Sequence, residues 1–381
     1  MKEVNNSWLS YSPTELIFGT GEFSNTHLHI SKYNSKRVLI VYGSSSKLHG
    51  RVDSLKSNFN KRKIQVHLGP QINGEPNTSD VINIIEKINK HNIDLIIAIG
   101  GGSVIDAGKA ASVIALNSYR IEDMFEGKQQ SGPNKVNLIA IPTTAGTGAE
   151  LSFGSIINSI EKKKKFGIRG HLVAPEMAII DPSLTLTCSK KQIAISGFDI
   201  FTHAVETMIS KKATPITTLF SREAISIVPY NLILAINESD RIEPRVKLSY
   251  FSMLMGYNLA NSSTCLPHRL QYPLGALTNT PHAVGLASLY RAWVRITNKN
   301  SREKFDWISK TLSDILKIKD LGIEHSISIF LDKLELNIKL SDFSLNEKDC
   351  STMAKNVSGS LDNDPWWNDG QDLKTFYLDS L

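Results

Sequence analysis

The sequence has little cysteine. Cys188, Cys265 and Cys350 stand far apart, and no CxxC occurs. That argues against a disulfide framework and fits a reducing compartment. Long hydrophobic runs are missing too. No apolar stretch approaches the ~20 residues of a membrane span, and Met1 to Pro13 is polar, without the apolar core of a signal peptide. The cytoplasm is the expected location, and no membrane partner is expected. Clustered basic charge is also absent. The net charge is +6, but Lys and Arg are scattered and the one tight run is Lys162 to Lys165, so nucleic acid is not an expected partner. No internal repeat or long low-complexity linker appears. What is present is the composition of a soluble globular chain, 41% hydrophobic and 21% charged. A single core seldom grows past ~250–300 residues, so 381 residues predict two domains.

The first half alternates strand and helix patterns. Arg37 to Tyr42, Ile64 to Leu68, Ile93 to Ile99 and Asn137 to Ile141 read as strands. Lys47 to Asn58, Ser79 to Lys90 and Val104 to Ala115 read as helices between them. The strands are apolar on both faces, which predicts a parallel sheet covered on both sides. From about Thr185 the pattern changes to long helical windows: Lys191 to Ser210, Thr214 to Asn237, Glu243 to Ser262 and Pro281 to Thr297. The expected architecture is an α/β domain over residues 1–183, with a Rossmann-like nucleotide site, followed by an all-helical domain over residues 184–381. Asp362 to Trp367 is irregular, ends in two adjacent tryptophans, and has no evident function.

Two loops carry phosphate-binding chemistry. Gly100-Gly101-Gly102-Ser103 sits between a buried strand and a helix. Glycine permits close backbone approach, and a helix N-terminus offers free N–H groups and the positive end of a dipole. Pro142 to Glu150 follows the next strand and combines the hydroxyls of Thr143, Thr144 and Thr147 with flexible glycines. Three glycines alone are as readily a tight turn; two such loops at adjacent strand ends suit a dinucleotide. Neither loop matches GxGxxG. In the second half, Asp199 and His203 lie four apart, on one face of a helix. His268 and His282 follow. Singly, an Asp–His pair at this spacing is usually a solvated surface pair, and a lone His is usually a core residue. Together, one carboxylate and three imidazoles suit Zn²⁺ or Fe²⁺ and fit Ca²⁺ or Mg²⁺ poorly.

These residues resemble the iron-containing alcohol dehydrogenase family. Gly100 to Asp106 and Pro142 to Glu150 are similar to its two cofactor loops. Asp199, His203, His268 and His282 match its four metal ligands in order, including the 14-residue step between the last two. Lys165, 16 residues before Asp181, falls where the family has a cofactor-contacting lysine. The resemblance runs from about Val38 to Ala287. It implies a dehydroquinate synthase-like two-domain architecture, with hydride transfer between a nicotinamide and a primary alcohol or aldehyde, and it implies a homodimer. Within the family pattern His-x-x-x-His-Pro, the second histidine, which assists proton transfer, is replaced by Tyr272. Arg269 stands beside a ligand and implies an anionic aldehyde such as phosphonoacetaldehyde; the plainer alternative is a surface arginine paired with an acid. The loop Tyr42 to Lys47 has no acid, and Gly43, Ser44 and Ser45 are similar to the loop of NADPH-dependent butanol dehydrogenases, which implies NADP(H) over NAD(H). Of the run Lys162 to Lys165, only Lys165 gains a functional reading; the rest is a solvated hairpin tip. The rival readings are a dehydroquinate synthase-like lyase, which consumes no net NAD(P)H, and an inactive homologue with a binding role.

Overall fold

A computed structural model describes residues 7–117, 134–159, 161 and 164–381. Lys162 and Lys163 of the basic run lie outside the described residues. The chain divides into two compact units. Ser12–Thr187 forms one; residues 7–11 join Cys188–Leu381 in the other. The changeover comes four residues after the expected 183/184 step, and its position has a local cause. The short turn Pro182–Thr187 is tied into the first unit by Arg51, whose guanidinium donates to Leu184 O and Thr187 Oγ1. Residues 7–11 are held by the helical unit instead. Ser10 Oγ contacts the Tyr257 hydroxyl, and Tyr11 N–H donates to Asn261 Oδ1 at 2.8 Å.

The first unit is the expected parallel sheet. Its strands are β1 (Glu15–Phe18), β2 (Arg37–Gly43), β3 (Gln65–Ile72), β4 (Leu95–Gly100), β5 (Asn137–Pro142) and β8 (Met177–Ile180), in the order β1-β8-β5-β4-β2-β3. Alternate side chains divide between two cores. Leu39, Val41, Ile96, Ala98, Leu138 and Ala140 pack on one face with the helices Thr78–His91 (α3) and Gly102–Ile114 (α4). Val38, Ile40, Ile97, Ile99, Ile139 and Ile141 pack on the other with Arg51–Asn60 (α2). The single helix expected over Lys47 to Asn58 is broken. A short α1 (Ser44–Leu48) ends before α2 because Gly50 takes φ 68°, a left-handed turn that glycine adopts without strain. Strands β1 and β8 are four residues each, too short to stand out as periodic runs. The antiparallel hairpin of β6 (Gly154–Ser159) and β7 (Lys164–Arg169) accounts for the region read as a hairpin tip.

The second unit is helical: α5 (Lys190–Ile209), α6 (Pro215–Asn237), α7 (Ile242–Asn261), α8 (Leu266–Thr278), α9 (His282–Thr297), then α10 (Arg302–Leu316), α11 (Ile323–Lys333), α12 (Glu347–Lys355) and α13 (Lys374–Leu378). One expectation needs correcting. By length and composition the 23-residue α6 could cross a bilayer. It buries one face, with Ser221, Ala224, Ile225, Val228, Leu232 and Ala235, while Arg222, Glu223 and Tyr230 on the other face are exposed. The approach to α5 is so close that a Cβ on Gly197 would fall 2.2 Å from Leu232 Cδ1. Helix α8 went unread because Pro267 and Pro273 interrupt its pattern. Pro267 lies in the first turn, where its missing N–H costs nothing, and Pro273 is tolerated further inside.

Candidate active site

In the α/β unit, β2, β4 and β5 are adjacent and parallel, so their carboxyl ends bring three loops side by side. Thr143 N–H donates to Gly100 O at 2.9 Å, which fastens the two glycine loops together. Space explains the glycines. A Cβ on Gly100 would meet Val104 Cγ2 at 2.4 Å, and one on Gly102 would meet Thr147 Oγ1 and Cγ2 at 2.8 Å. The first-turn N–H groups of α4, at Gly102 and Ser103, have no partners within the helix and stand beside Thr144 and Thr147. Ser44 and Ser45 are exposed at the start of α1, just after Gly43, whereas Ser46 is buried and donates to Ile99 O. Replacing Gly102 with Ala should therefore push the loops apart. Coenzyme affinity, read by fluorescence titration, should fall about tenfold or more, equivalent to ~1.4 kcal/mol, with metal content unchanged.

Two residues predicted to contact the coenzyme, Asp106 and Lys165, have partners within the protein. The Asp106 carboxylate turns inward and accepts Ile156 N–H at 3.0 Å. Burial pushes it up to about 6, while Lys109 pulls the other way. Lys109 is fully buried and donates to Ser152 O, Ser152 Oγ and Gly154 O. Burial lowers it to about 8 and raises nearby Glu150 to about 7. The three groups form a buried charge cluster, in which Asp106 holds β6 through Ile156 while its Oδ1 is enclosed without a hydrogen bond. Lys165, on β7, reaches Glu75 Oε1 at 2.6 Å, so its charge is matched within the same unit.

In the helical unit the four predicted ligands converge. Asp199 and His203 are both buried on the inner face of α5, not solvated on its surface. The Nε2 atoms of His203, His268 and His282 lie 3.6, 3.8 and 4.0 Å from Asp199 Oδ1. Nδ1 of His268 is 2.8 and 2.9 Å from the Glu206 carboxylate, and Nδ1 of His282 is 2.7 Å from Gln271 Oε1. With Gln271 presenting its oxygen and Glu206 ionised, both rings would carry the proton on Nδ1 and leave the Nε2 lone pair to the cluster. Burial, with His203 nearby, holds the His268 imidazole well below its usual range, hence neutral, as a metal ligand must be. Burial pushes Glu206 up to about 8, opposed by His203 and by the Cys265 N–H that it accepts.

Asp199 Oδ1 and His268 Nε2 are enclosed and make no hydrogen bond. Buried polar atoms without partners are costly, and a divalent ion among these donors would satisfy them. One carboxylate and three imidazoles are the donor chemistry of Zn²⁺ or Fe²⁺.

Around this cluster, Arg269 is buried, not at the surface, and no acid pairs with it among the described residues. Its guanidinium donates to Ser360 O at 3.2 Å and to the Tyr272 hydroxyl at 3.0 Å. Three supporting residues were missed in the sequence. Glu206 was findable: it stands seven residues after Asp199 and three after His203, on the same helical face. Gln271 was hidden by the unread helix. Asp364, in the stretch before the two tryptophans, accepts Leu266 N–H at 3.0 Å and the Trp293 indole N–H at 2.8 Å. It thereby fastens α8, which carries His268, to α9, which carries His282. No local pattern announces partners 98 and 71 residues away.

Phosphate-ready helix starts and a buried ion-binding cluster are the equipment of a metal-dependent oxidoreductase that works with a nicotinamide dinucleotide. Comparison with known proteins is more specific. The profile described as iron-containing alcohol dehydrogenase matches residues 13–182, and that of the C-terminal region of the Fe-containing alcohol dehydrogenase family matches residues 193–365. Alcohol dehydrogenase 4 of Schizosaccharomyces pombe is 30% identical over 352 residues, which is 90% of this chain and 82% of that protein. The solved structure of a 1,3-propanediol oxidoreductase covers 99% of this chain and 100% of its own, with a TM-score of 0.91 at 24% identity. An iron-containing alcohol dehydrogenase from Thermotoga maritima covers 98% and 99%, with a TM-score of 0.86 at 27% identity. The chain belongs to the iron-containing alcohol dehydrogenase family, and it is an NAD(P)-linked alcohol dehydrogenase.

Proposed function

We propose that this chain interconverts small aldehydes and primary alcohols with NADP(H), on one divalent ion, Fe²⁺ or Zn²⁺. The observation that carries the proposal is the cluster of three imidazole Nε2 atoms around Asp199 Oδ1. Asp199, His203, His268 and His282 would hold the ion. When bound, it supplies Lewis acidity toward the substrate oxygen, and the dinucleotide supplies or accepts the hydride. The protein's own part is placement. Glu206 and Gln271 fix two of the rings. The N–H groups opening α4 and the hydroxyls of Thr144 and Thr147 receive phosphate and ribose. Tyr272, oriented by Arg269, offers a hydroxyl that can hold or pass a proton.

The NADP(H) preference rests on the loop after β2. Ser44 and Ser45 are exposed there with the Lys47 ammonium close by, and the nearest acid, Asp53, is engaged by Lys47 at 2.8 Å. A 2′-phosphate would meet hydroxyls and no free carboxylate. A second reading keeps the reaction but narrows the substrate to anionic aldehydes. It is favoured by the buried Arg269 guanidinium, whose hydrogen-bond acceptors among the described residues are neutral: Ser360 O, the Tyr272 hydroxyl and Ser263 Oγ.

The test is turnover of NADPH and NADH with a panel of neutral and anionic aldehydes. The enzyme is loaded with Fe²⁺ or Zn²⁺, beside a metal-free control. Metal-dependent oxidation of NADPH, at least tenfold better in kcat/KM than that of NADH, is expected. A tenfold preference for NADH would refute the coenzyme reading. If the best anionic aldehyde were no better than neutral ones, the second reading would be dropped. Failure of every aldehyde with both coenzymes would sink the whole proposal.

A further inference from the structure

The three imidazoles of the cluster are not held alike. His268 Nδ1 faces the Glu206 carboxylate. His203 Nδ1 is enclosed and makes no hydrogen bond. His282 Nδ1 faces the neutral amide oxygen of Gln271 at 2.7 Å. Gln271 lies on α8, three residues after His268, so a residue on one ligand's helix sets the ring of another ligand on α9. It is fully buried, and its Nε2 makes no hydrogen bond. Its amide must present oxygen to His282. The nitrogen would oblige Nδ1 to accept, move the ring proton to Nε2, and block that atom as a ligand. Room for the side chain is provided from the facing helix. A Cβ on Gly285, three residues after His282, would lie 3.0 Å from Gln271 Cγ and 3.2 Å from Nε2. His282 is also the most exposed ligand, with 31% of its side chain accessible against 4–7% for the other three.

Resting on the reading of this cluster as a metal site, we propose that Gln271 is the positioning residue of the fourth ligand. Its amide oxygen fixes the tautomer and swing of His282. That brace on the most exposed arm of the cluster sets how tightly the ion is held. A partner that accepts the imidazole N–H raises the ligand's basicity, more so when it is charged, and losing such a partner typically costs about 10–100-fold in metal affinity.

The experiment is equilibrium competition against a chelator, with Zn²⁺ and with Fe²⁺, on the full-length protein without turnover. Three variants are compared with wild type. Gln271→Met keeps the volume and removes the acceptor; affinity should fall about 10–100-fold. Gln271→Glu keeps the shape and adds charge; affinity should hold or rise. Gly285→Ala presses on the Gln271 side chain and should loosen the ion in the same direction as Gln271→Met. The melting temperatures of the metal-free proteins report packing alone. If Gln271→Met binds within twofold of wild type, or if Gln271→Glu loosens the ion as much as Gln271→Met does, Gln271 serves packing only and the proposal falls. A separate control tests the site itself. Unchanged ion stoichiometry in Asp199→Ala would remove the metal reading, and this inference with it.

Discussion

Replacing Asp199 with Asn should reduce turnover about a thousandfold, equivalent to ~4 kcal/mol of transition-state stabilisation at 1.36 kcal/mol per decade. Bound ion should fall to a trace. Asp199 is the one anionic ligand, and its Oδ1 is the point that all three imidazole Nε2 atoms share. The same atom has no hydrogen bond. That oxygen is therefore not tied into the metal-free fold by a hydrogen bond. The metal-free melting temperature should hold or rise, while the increment that added metal gives wild type should vanish. A variant that keeps its ion and its rate would remove Asp199 from the ligand set. One that melts lower without metal would show that the carboxylate serves the fold.

The second large effect is expected in the other unit. Lys109→Met should cost ~3–5 kcal/mol at neutral pH, the range for breaking a buried charge pair by removing one partner. It removes three hydrogen bonds, leaves Glu150 without the cation that lowers it, and leaves Asp106 to Arg169. The pH dependence carries the more specific test. Both acids have raised values, about 6 and about 7, against an ordinary value near ~4. For a raised acid, the stability contribution is complete below the unfolded value and is lost as pH rises through the folded one. Lys109 limits that loss in wild type by pulling both acids down. Without it they rise further, so the deficit of Lys109→Met should be larger at pH ~7.5 than at pH ~5. Thermal melts of both proteins at the two values decide it; an equal or smaller deficit at the higher pH contradicts this account of the cluster.

Much of this was legible in the chain itself, for identifiable reasons. Strands such as Leu95–Gly100 are continuous apolar runs because the sheet is covered on both faces, and such runs are conspicuous. The glycine loops were readable because close approach admits no side chain. The convergence of Asp199, His268 and His282 was readable because one carboxylate with imidazoles in this order is rare in combination. What stayed hidden depended on distance or on broken pattern. The four-residue strands β1 and β8 are defined by their neighbours and have no period of their own. Helix α8 carries two prolines. Asp106 reads as a coenzyme contact at the start of a helix, and only the fold turns its carboxylate toward Ile156. Arg269 looked like a surface cation, and its burial depends on Ser360, ninety-one residues away.

The fastening of α8 by the end of the chain has a consequence for biosynthesis. Asp364 holds Leu266, and the Tyr377 hydroxyl donates to Leu270 O at 2.7 Å. Both anchors are translated after all four ligands. A nascent chain that has just emitted His282 has every donor atom but not the residues that lock the helix beneath His268. The proposed ion site would thus be fastened only once residues as far as Tyr377 have been made, and a chain cut after Lys355 should keep all four candidate ligands but hold the ion more loosely.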